Sequence, residues 1–130
     1  MESSGPEMCF ACGKDNPISL RLEFSLIDEN TARAFFTPDK VHQGYKEIMH
    51  GGLVTTLLDE AMAKVLELNQ IKAVTGELKT RFKKPVNIGK RLKITGEIKD
   101  NYHSLYYTEA RVEDENGEIL AEAEAKFMEV

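Results

Sequence analysis

The sequence predicts an α+β protein in which an antiparallel β-sheet of about five to six strands wraps around one long central helix. Three observations lead there. Apolar residues recur at helical spacing in a single stretch, from about residue 51 to 68. Segments that alternate apolar and polar residues lie on both sides of it. Turn residues mark the borders between them. A sheet with one face to cover and a helix with one apolar stripe to bury satisfy each other when the sheet curls round the helix.

The elements follow in order. Residues 1–17 carry Gly5, Pro6, Gly13, Asn16 and Pro17 and read as an irregular N-terminal extension. Leu20-Arg21-Leu22-Glu23-Phe24-Ser25-Leu26 alternates strictly, which reads as a half-buried strand with its even-numbered residues inward. Asp28-Glu29-Asn30 is a turn, and Thr31 to Phe36 closes a hairpin. Pro38 to Met49 shows no clear period and reads as a loop with a short helical turn. Gly51-Gly52 then precede Leu53, Val54, Leu57, Leu58, Ala61, Met62, Val65 and Leu68, the stripe of an amphipathic helix, with Asn69 as its stop. Ala73 to Lys83 alternates again, with Leu78, Thr80 and Phe82 against Lys79, Arg81 and Lys83. Pro85, Asn87 and Gly89 make a turn, and Arg91 to Lys99 places Leu92, Ile94 and Ile98 on one side. Asn101 turns into Leu105 to Val112. Asp114-Glu115-Asn116-Gly117 is a strong hairpin signal, and Ile119 to Met128 completes the last strand. Nothing resembling a linker or repeat divides the chain, so residues 1–130 read as a single domain.

Composition narrows the function classes. With 42% apolar and 30% charged residues the chain has a globular balance. A net charge of −5 argues against a nucleic-acid partner. No apolar run approaches the roughly 20 residues of a membrane span. The start Met1-Glu2-Ser3-Ser4-Gly5-Pro6-Glu7 has neither the basic nor the apolar region of a secretory signal. The two cysteines, Cys9 and Cys12, are too close together to staple a fold. The expectation is a cytoplasmic protein without a membrane partner.

The run Met49-His50-Gly51-Gly52-Leu53-Val54-Thr55-Thr56-Leu57-Leu58-Asp59-Glu60-Ala61-Met62-Ala63 resembles the helix start of the hotdog-fold thioesterase superfamily. The closer likeness is to its 4-hydroxybenzoyl-CoA-type and phenylacetate-degradation-type acyl-CoA thioesterases. Cys9-Phe10-Ala11-Cys12-Gly13 with Asn16-Pro17, and Val74-Thr75 leading to Lys84-Pro85-Val86 and Gly89, look like stretches of some hotdog proteins. The resemblance spans nearly the whole chain in element order. It implies hydrolysis of an acyl-CoA thioester, a homodimer with sheets joined edge to edge or a homotetramer, and no metal or redox cofactor. A non-catalytic acyl-CoA-binding or regulatory domain and a hydratase or dehydratase are the alternatives on the same fold.

Thioester hydrolysis needs an oxyanion donor and a nucleophile or base. Glycines at a helix N-terminus suit the first need, because substrate can approach amides that have no intrahelical partner. The Gly51 amide is the family's position for that donor. Asp59 suits the second. On a helical wheel it neighbours Thr55, Met62, Ala63 and Leu66, at the border of the apolar face, where partial burial favours a useful base. Glu60 falls beside Thr56, Lys64 and Glu67, and its pairing with Lys64 reads as a solvated face.

Gly51 and Asp59 are eight residues apart, roughly 12 Å along a helix axis. A small carbonyl reaches both most easily when two helices lie side by side in a two-fold dimer. In the family, the histidine at His50 mostly orients the helix start. His42 lies close enough in sequence to line the pocket, and His103 reads as surface. Some relatives carry a polar side chain where this chain has Gly44, and hydroxyls where it has Lys84 and Ala63. Gln43, Thr55 and Thr56 are the candidate substitutes, and Gly52 completes the substrate-binding set.

Lys79, Arg81, Lys83, Lys84, Lys90, Arg91 and Lys93 follow one another with no acid among them. They read either as a receptor for coenzyme A phosphates, with Arg81, Lys83 and Lys84 as the candidate contacts, or as a solvated sheet face. The Cys9–Cys12 spacing suits a metal knuckle, but a zinc site needs further ligands, for which a histidine is the candidate. Packing of an N-terminal turn is the default expectation, with no metal.

Overall fold

The computed structural model describes residues 6–130. Met1 to Gly5, which hold part of the expected N-terminal extension and the segment read for a signal, lie outside them. Six strands and one α-helix follow the order β1 (Ser25–Asp28), β2 (Thr31–Phe36), α1 (Gly51–Glu67), β3 (Ala73–Phe82), β4 (Leu92–Tyr102), β5 (Leu105–Glu113) and β6 (Ile119–Glu129). All pairings are antiparallel, and the strands lie in the order β1-β2-β4-β5-β6-β3. A short 3-10 turn at Lys40–His42 occupies the loop before the helix, as its lack of period suggested. Among the described residues no helix is long and apolar enough to cross a membrane.

The helix buries Val54, Leu57, Leu58, Ala61, Met62, Val65 and Leu66. Burial of side chains of this size contributes about 1.5–3 kcal/mol each for the larger ones, so this stripe anchors the fold. Leu66 takes the place expected for Leu68, because the helix ends at Glu67 and Leu68 becomes its C-cap. Asn69 stops the helix as read, its amide donating to the Val65 carbonyl at 2.7 Å and to Glu29 at 2.9 Å. The sheet approaches the helix closely at Gly96 on β4, where a Cβ would stand 2.3 Å from the Ala61 carbonyl oxygen. Only glycine fits that crossing. The buried alanines at 110, 121, 123 and 125 keep the rest of the inner face shallow.

The first expected strand is half right. Leu20 and Leu22 are buried and Phe24 packs on the core, as the alternation required. They do not pair with β2. The Leu20 and Leu22 amides donate instead to the Phe10 and Ala11 carbonyls, each at 3.0 Å. Arg21 has φ +55°, a conformation incompatible with a continuous strand. The strand therefore starts at Ser25, and Leu26 is 39% exposed rather than inward.

Candidate functional site

The start of α1 leaves one amide free. His50 is the N-cap, and its Nδ1 accepts from the Gly52 N–H at 2.9 Å. The Leu53 and Val54 amides donate to the His50 carbonyl, and the His50 amide donates to the His42 carbonyl at 2.8 Å. Among the described residues the Gly51 N–H has no acceptor. An Nδ1 that accepts puts the proton of a neutral imidazole on Nε2, so His50 acts here as a cap.

The two glycines differ in what they permit. A Cβ at Gly52 would lie 3.1 Å from the His50 ring, so this glycine makes room for the cap. A Cβ at Gly51 would meet only the Phe82 ring, at an ordinary 3.6 Å. Nothing inside the chain demands glycine at 51, and its lack of a side chain leaves the free amide open to approach. Around it lies a cleft of about 360 Å³ formed by Tyr45, Met49, Val54, Phe82 and the Lys83 to Val86 turn. That volume is on the scale of small-molecule sites.

About two turns further along α1, half-buried Asp59 accepts a 2.9 Å hydrogen bond from the Thr75 hydroxyl. Thr75 is absent from the site residues read from sequence. The register of β3 against β6 shifts between Thr75 and Glu77. That bulge lets Thr75 meet the helix although Leu78 and Thr80, of the opposite parity, are also on the inner side. Gly76 inside an alternating strand is the signal that could have found it.

The neighbouring acid corrects the sequence reading. Glu60 does not lie on a solvated face; its side chain is only 13% exposed, 4.0 Å from Lys64. The segment carrying Cys9 and Cys12 packs over it, bringing two sulfurs and a Glu60 oxygen within 4.8 Å of one another. A glutamate, not a histidine, therefore stands against the cysteine pair. Burial raises the Glu60 pKa above the usual carboxylate value. It also pushes the Cys12 thiol up to about 12, with Cys9 and Glu60 acting in the same direction.

The other candidates divide. His42 Nδ1 accepts from the Asp39 amide at 2.8 Å, and its ring packs edge-on against Phe36. Gln43 Oε1 accepts from the Glu47 amide, so that oxygen is engaged in holding the loop. A Cβ on Gly44 would come 3.2 Å from the His50 Cα, which explains a glycine where an amide side chain was sought. Thr56 donates to the Gly52 carbonyl at 3.0 Å, within its own helix. Thr55 is half-buried one turn before Asp59 on the same helix face.

The basic run does not form one patch. Arg81 faces away from the helix, opposite Glu122 in the β3–β6 register, beside Lys79 opposite Glu124. Lys93 pairs with Glu113 at 3.2 Å, and Arg91 stacks on the Phe35 ring at 4.0 Å. The chain leaves the strand after Phe82, and this brings Lys83 and Lys84 to the Gly51 cleft. Lys83 lies 3.5 Å from Glu122, and Lys84 pairs with Glu118, which raises the pKa of its ammonium.

Several solved structures share this architecture. A thioesterase superfamily protein aligns with a TM-score of 0.88 at 20% identity, covering 92% of this chain; this chain spans 62% of that one. The Escherichia coli PaaI protein from the phenylacetic acid degradation operon aligns at 0.78 and 19% identity, covering 84% and 83% of the two chains. A hypothetical thioesterase protein from Streptococcus pneumoniae, crystallised with coenzyme A, aligns at 0.79 and 16% identity, covering 84% and 85%. At these identities the likeness establishes the hotdog fold. A search of curated proteins finds no match. The sequence model of the thioesterase superfamily matches residues 46–121, a span that takes in the helix cap, Asp59, Thr75 and all of the cleft but Tyr45. The chain belongs to the thioesterase superfamily.

Proposed function

We propose that this protein hydrolyses acyl-CoA thioesters at a site shared between two chains. The Gly51 amide of one chain polarises the thioester carbonyl, and Asp59 of the second acts as general base toward water or as nucleophile. The observation that carries the reading is the free Gly51 N–H at a capped helix start whose other amides are all engaged. An oxyanion placed there gains a donor already oriented, together with the positive end of the helix dipole.

Two features support the shared site. Gly51 and Asp59 are separated by roughly 12 Å of helix, too far for one carbonyl to meet both in the same chain. The ten residues of β3 form an open sheet edge, with Val74 54% and Phe82 56% exposed at its ends. Long, partly apolar edges are templates for pairing with another strand. Edge-to-edge association through β3 sets two α1 helices near one another across a two-fold axis, and the acyl group then lies along the apolar cleft.

The Streptococcus pneumoniae protein of this fold was crystallised with coenzyme A. Lys83 and Lys84 line the Gly51 cleft and would meet its phosphates by giving up their present partners Glu122 and Glu118, and Arg81 does not share that position. Thioester hydrolysis requires only water as co-reactant, and no cofactor is assigned to it. A hydratase reading wants a histidine base, whereas His50 Nδ1 is occupied by the Gly52 amide.

The test is a panel of short, long and aromatic acyl-CoA substrates read by thiol release, run on wild type and Asp59→Asn. Turnover that collapses in the variant supports the hydrolase. Affinity without turnover in both would replace it by a binding domain. Mixing Asp59→Asn chains with Gly51→Pro chains checks the sharing, because partial recovery requires each site to draw on two chains.

A further inference from the structure

The N-terminal turn carries chemistry that thioester hydrolysis does not use. Cys9-Phe10-Ala11-Cys12-Gly13 forms a closed knuckle, with the Gly13 amide donating to the Cys9 carbonyl at 2.8 Å. Gly13 is required there, since a Cβ would lie 2.5 Å from both the Cys9 nitrogen and the Glu7 carbonyl. Asn16 fastens the same turn by donating to the Met8 carbonyl at 3.1 Å and accepting from the Ile18 amide at 3.0 Å. Both cysteines are free thiols, and the knuckle holds them against the middle of α1.

We propose that Cys9, Cys12 and Glu60 form a zinc site that clips the N-terminal segment to the helix. The two sulfurs and a Glu60 oxygen all lie within 4.8 Å of one another. Tetrahedral zinc with sulfur ligands at about 2.3 Å requires sulfur–sulfur separations of about 3.8 Å, so adjustments of about an ångström close the site. Glu60 Oε2 is buried and accepts no hydrogen bond among the described residues, and its only cation, the Lys64 ammonium, stands 4.0 Å away, which leaves room for a closer one.

Charge points the same way. Two thiolates and a carboxylate around a divalent ion leave one negative charge, and the Lys64 ammonium stands 4.0 Å from Glu60 Oε2. The soft sulfur donors select zinc over calcium or magnesium. Three protein ligands leave the fourth position to water, which these half-buried residues admit. Structural zinc is ordinarily closed by four protein ligands, so this three-ligand site acts as a clip with one water-filled position and has no part in turnover. Glu60 is about 100° round the helix from Asp59, so the clip lies off the catalytic face.

The experiment uses the full chain, purified under reducing conditions. Metal content is measured by mass spectrometry after equilibration with zinc and removal of excess. Wild type is expected to hold a single zinc ion per chain, and a Cys9→Ser/Cys12→Ser double variant none. Cobalt in place of zinc should give thiolate charge-transfer absorption in the near ultraviolet. Glu60→Gln should keep the fold, alter the cobalt spectrum and weaken zinc affinity at least roughly tenfold, the scale on which even outer partners of ligands count. Chelation should lower the melting temperature of wild type by roughly 5 °C and leave the double variant unmoved. Zinc retention no greater in wild type than in the double variant would overturn the proposal. So would wild-type affinity and spectrum in Glu60→Gln, or a Cys9–Cys12 disulfide in the zinc-equilibrated protein.

Discussion

Asp59 and Glu60 are consecutive on one helix, yet one meets a strand hydroxyl and the other a pair of thiols. Asp59 lies toward the open β3 edge, where Thr75 supplies a single hydrogen bond and leaves the second carboxylate oxygen for another partner. Glu60 lies under the N-terminal segment, its side chain 13% exposed and its Oε2 accepting no hydrogen bond among the described residues. A turn of about 100° round the axis exchanges a carboxylate facing a sheet edge for one facing the N-terminal segment, which is why the two acids are proposed to do different things. A helix that a sheet wraps on one side still has two further flanks, and each is defined by whichever piece of chain covers it.

The largest expected effect falls on the Asp59 flank. Asp59→Asn should lower kcat/KM for acyl-CoA by about 10²–10⁴, the range of a lost general base, with the melting temperature unchanged. A loss below tenfold in thiol release would move the chemistry off this flank.

Gly51→Pro comes next. Proline is well tolerated at the first helical position, and His50, with φ −59° and ψ 132°, already has the extended backbone that a following proline requires. The substitution removes the free N–H while preserving the helix. It should cost about 10²–10³ in kcat, as loss of an oxyanion donor does, with the far-UV circular dichroism retained. Gly51→Ala, whose Cβ would meet only Phe82, keeps the N–H and should cost much less.

Much of this contrast was legible beforehand, and the reasons for the exceptions are physical. Period and turn residues place the helix and the five strands from β2 onward, because alternation reports which residues face inward. Alternation does not report the strand's partner, and so Leu20 and Leu22 prove to bond to the N-terminal turn instead of β2. Asp59 is singled out by its place on the helical wheel and Gly51 by the resemblance of the helix start, and the structure adds the Thr75 contact and the free amide beside them. Glu60 was misread as solvated because its cover comes from residues 9–12, which only tertiary contact brings to the helix. Thr75 was missed because the bulge at Gly76 changes the parity of β3 midway. The basic run looked continuous because sequence order ignores that Arg81 and Lys84 stand on different sides of the strand's end.

Thr75→Val sharpens the comparison at intermediate size. Valine keeps the volume and suits a strand, so the sheet should persist. Asp59 loses the donor that fixes its rotamer, and kcat should fall roughly tenfold while KM stays near the wild-type value. An equal change in KM and kcat would show the hydroxyl binding substrate rather than steadying the carboxylate.

The smallest effect on turnover belongs to Glu60→Gln. The amide fills the same volume between Cys12 and Lys64 but carries no charge, so turnover of acyl-CoA should stay within about twofold of wild type. Its consequence should appear elsewhere, as faster amide hydrogen exchange in residues 9–22 when zinc is supplied to both proteins, because a weakened clip lets the N-terminal turn open more often. Strong loss of turnover with unchanged exchange would mean that the two flanks are coupled through the helix, and that Glu60 acts on the Asp59 carboxylate beside it.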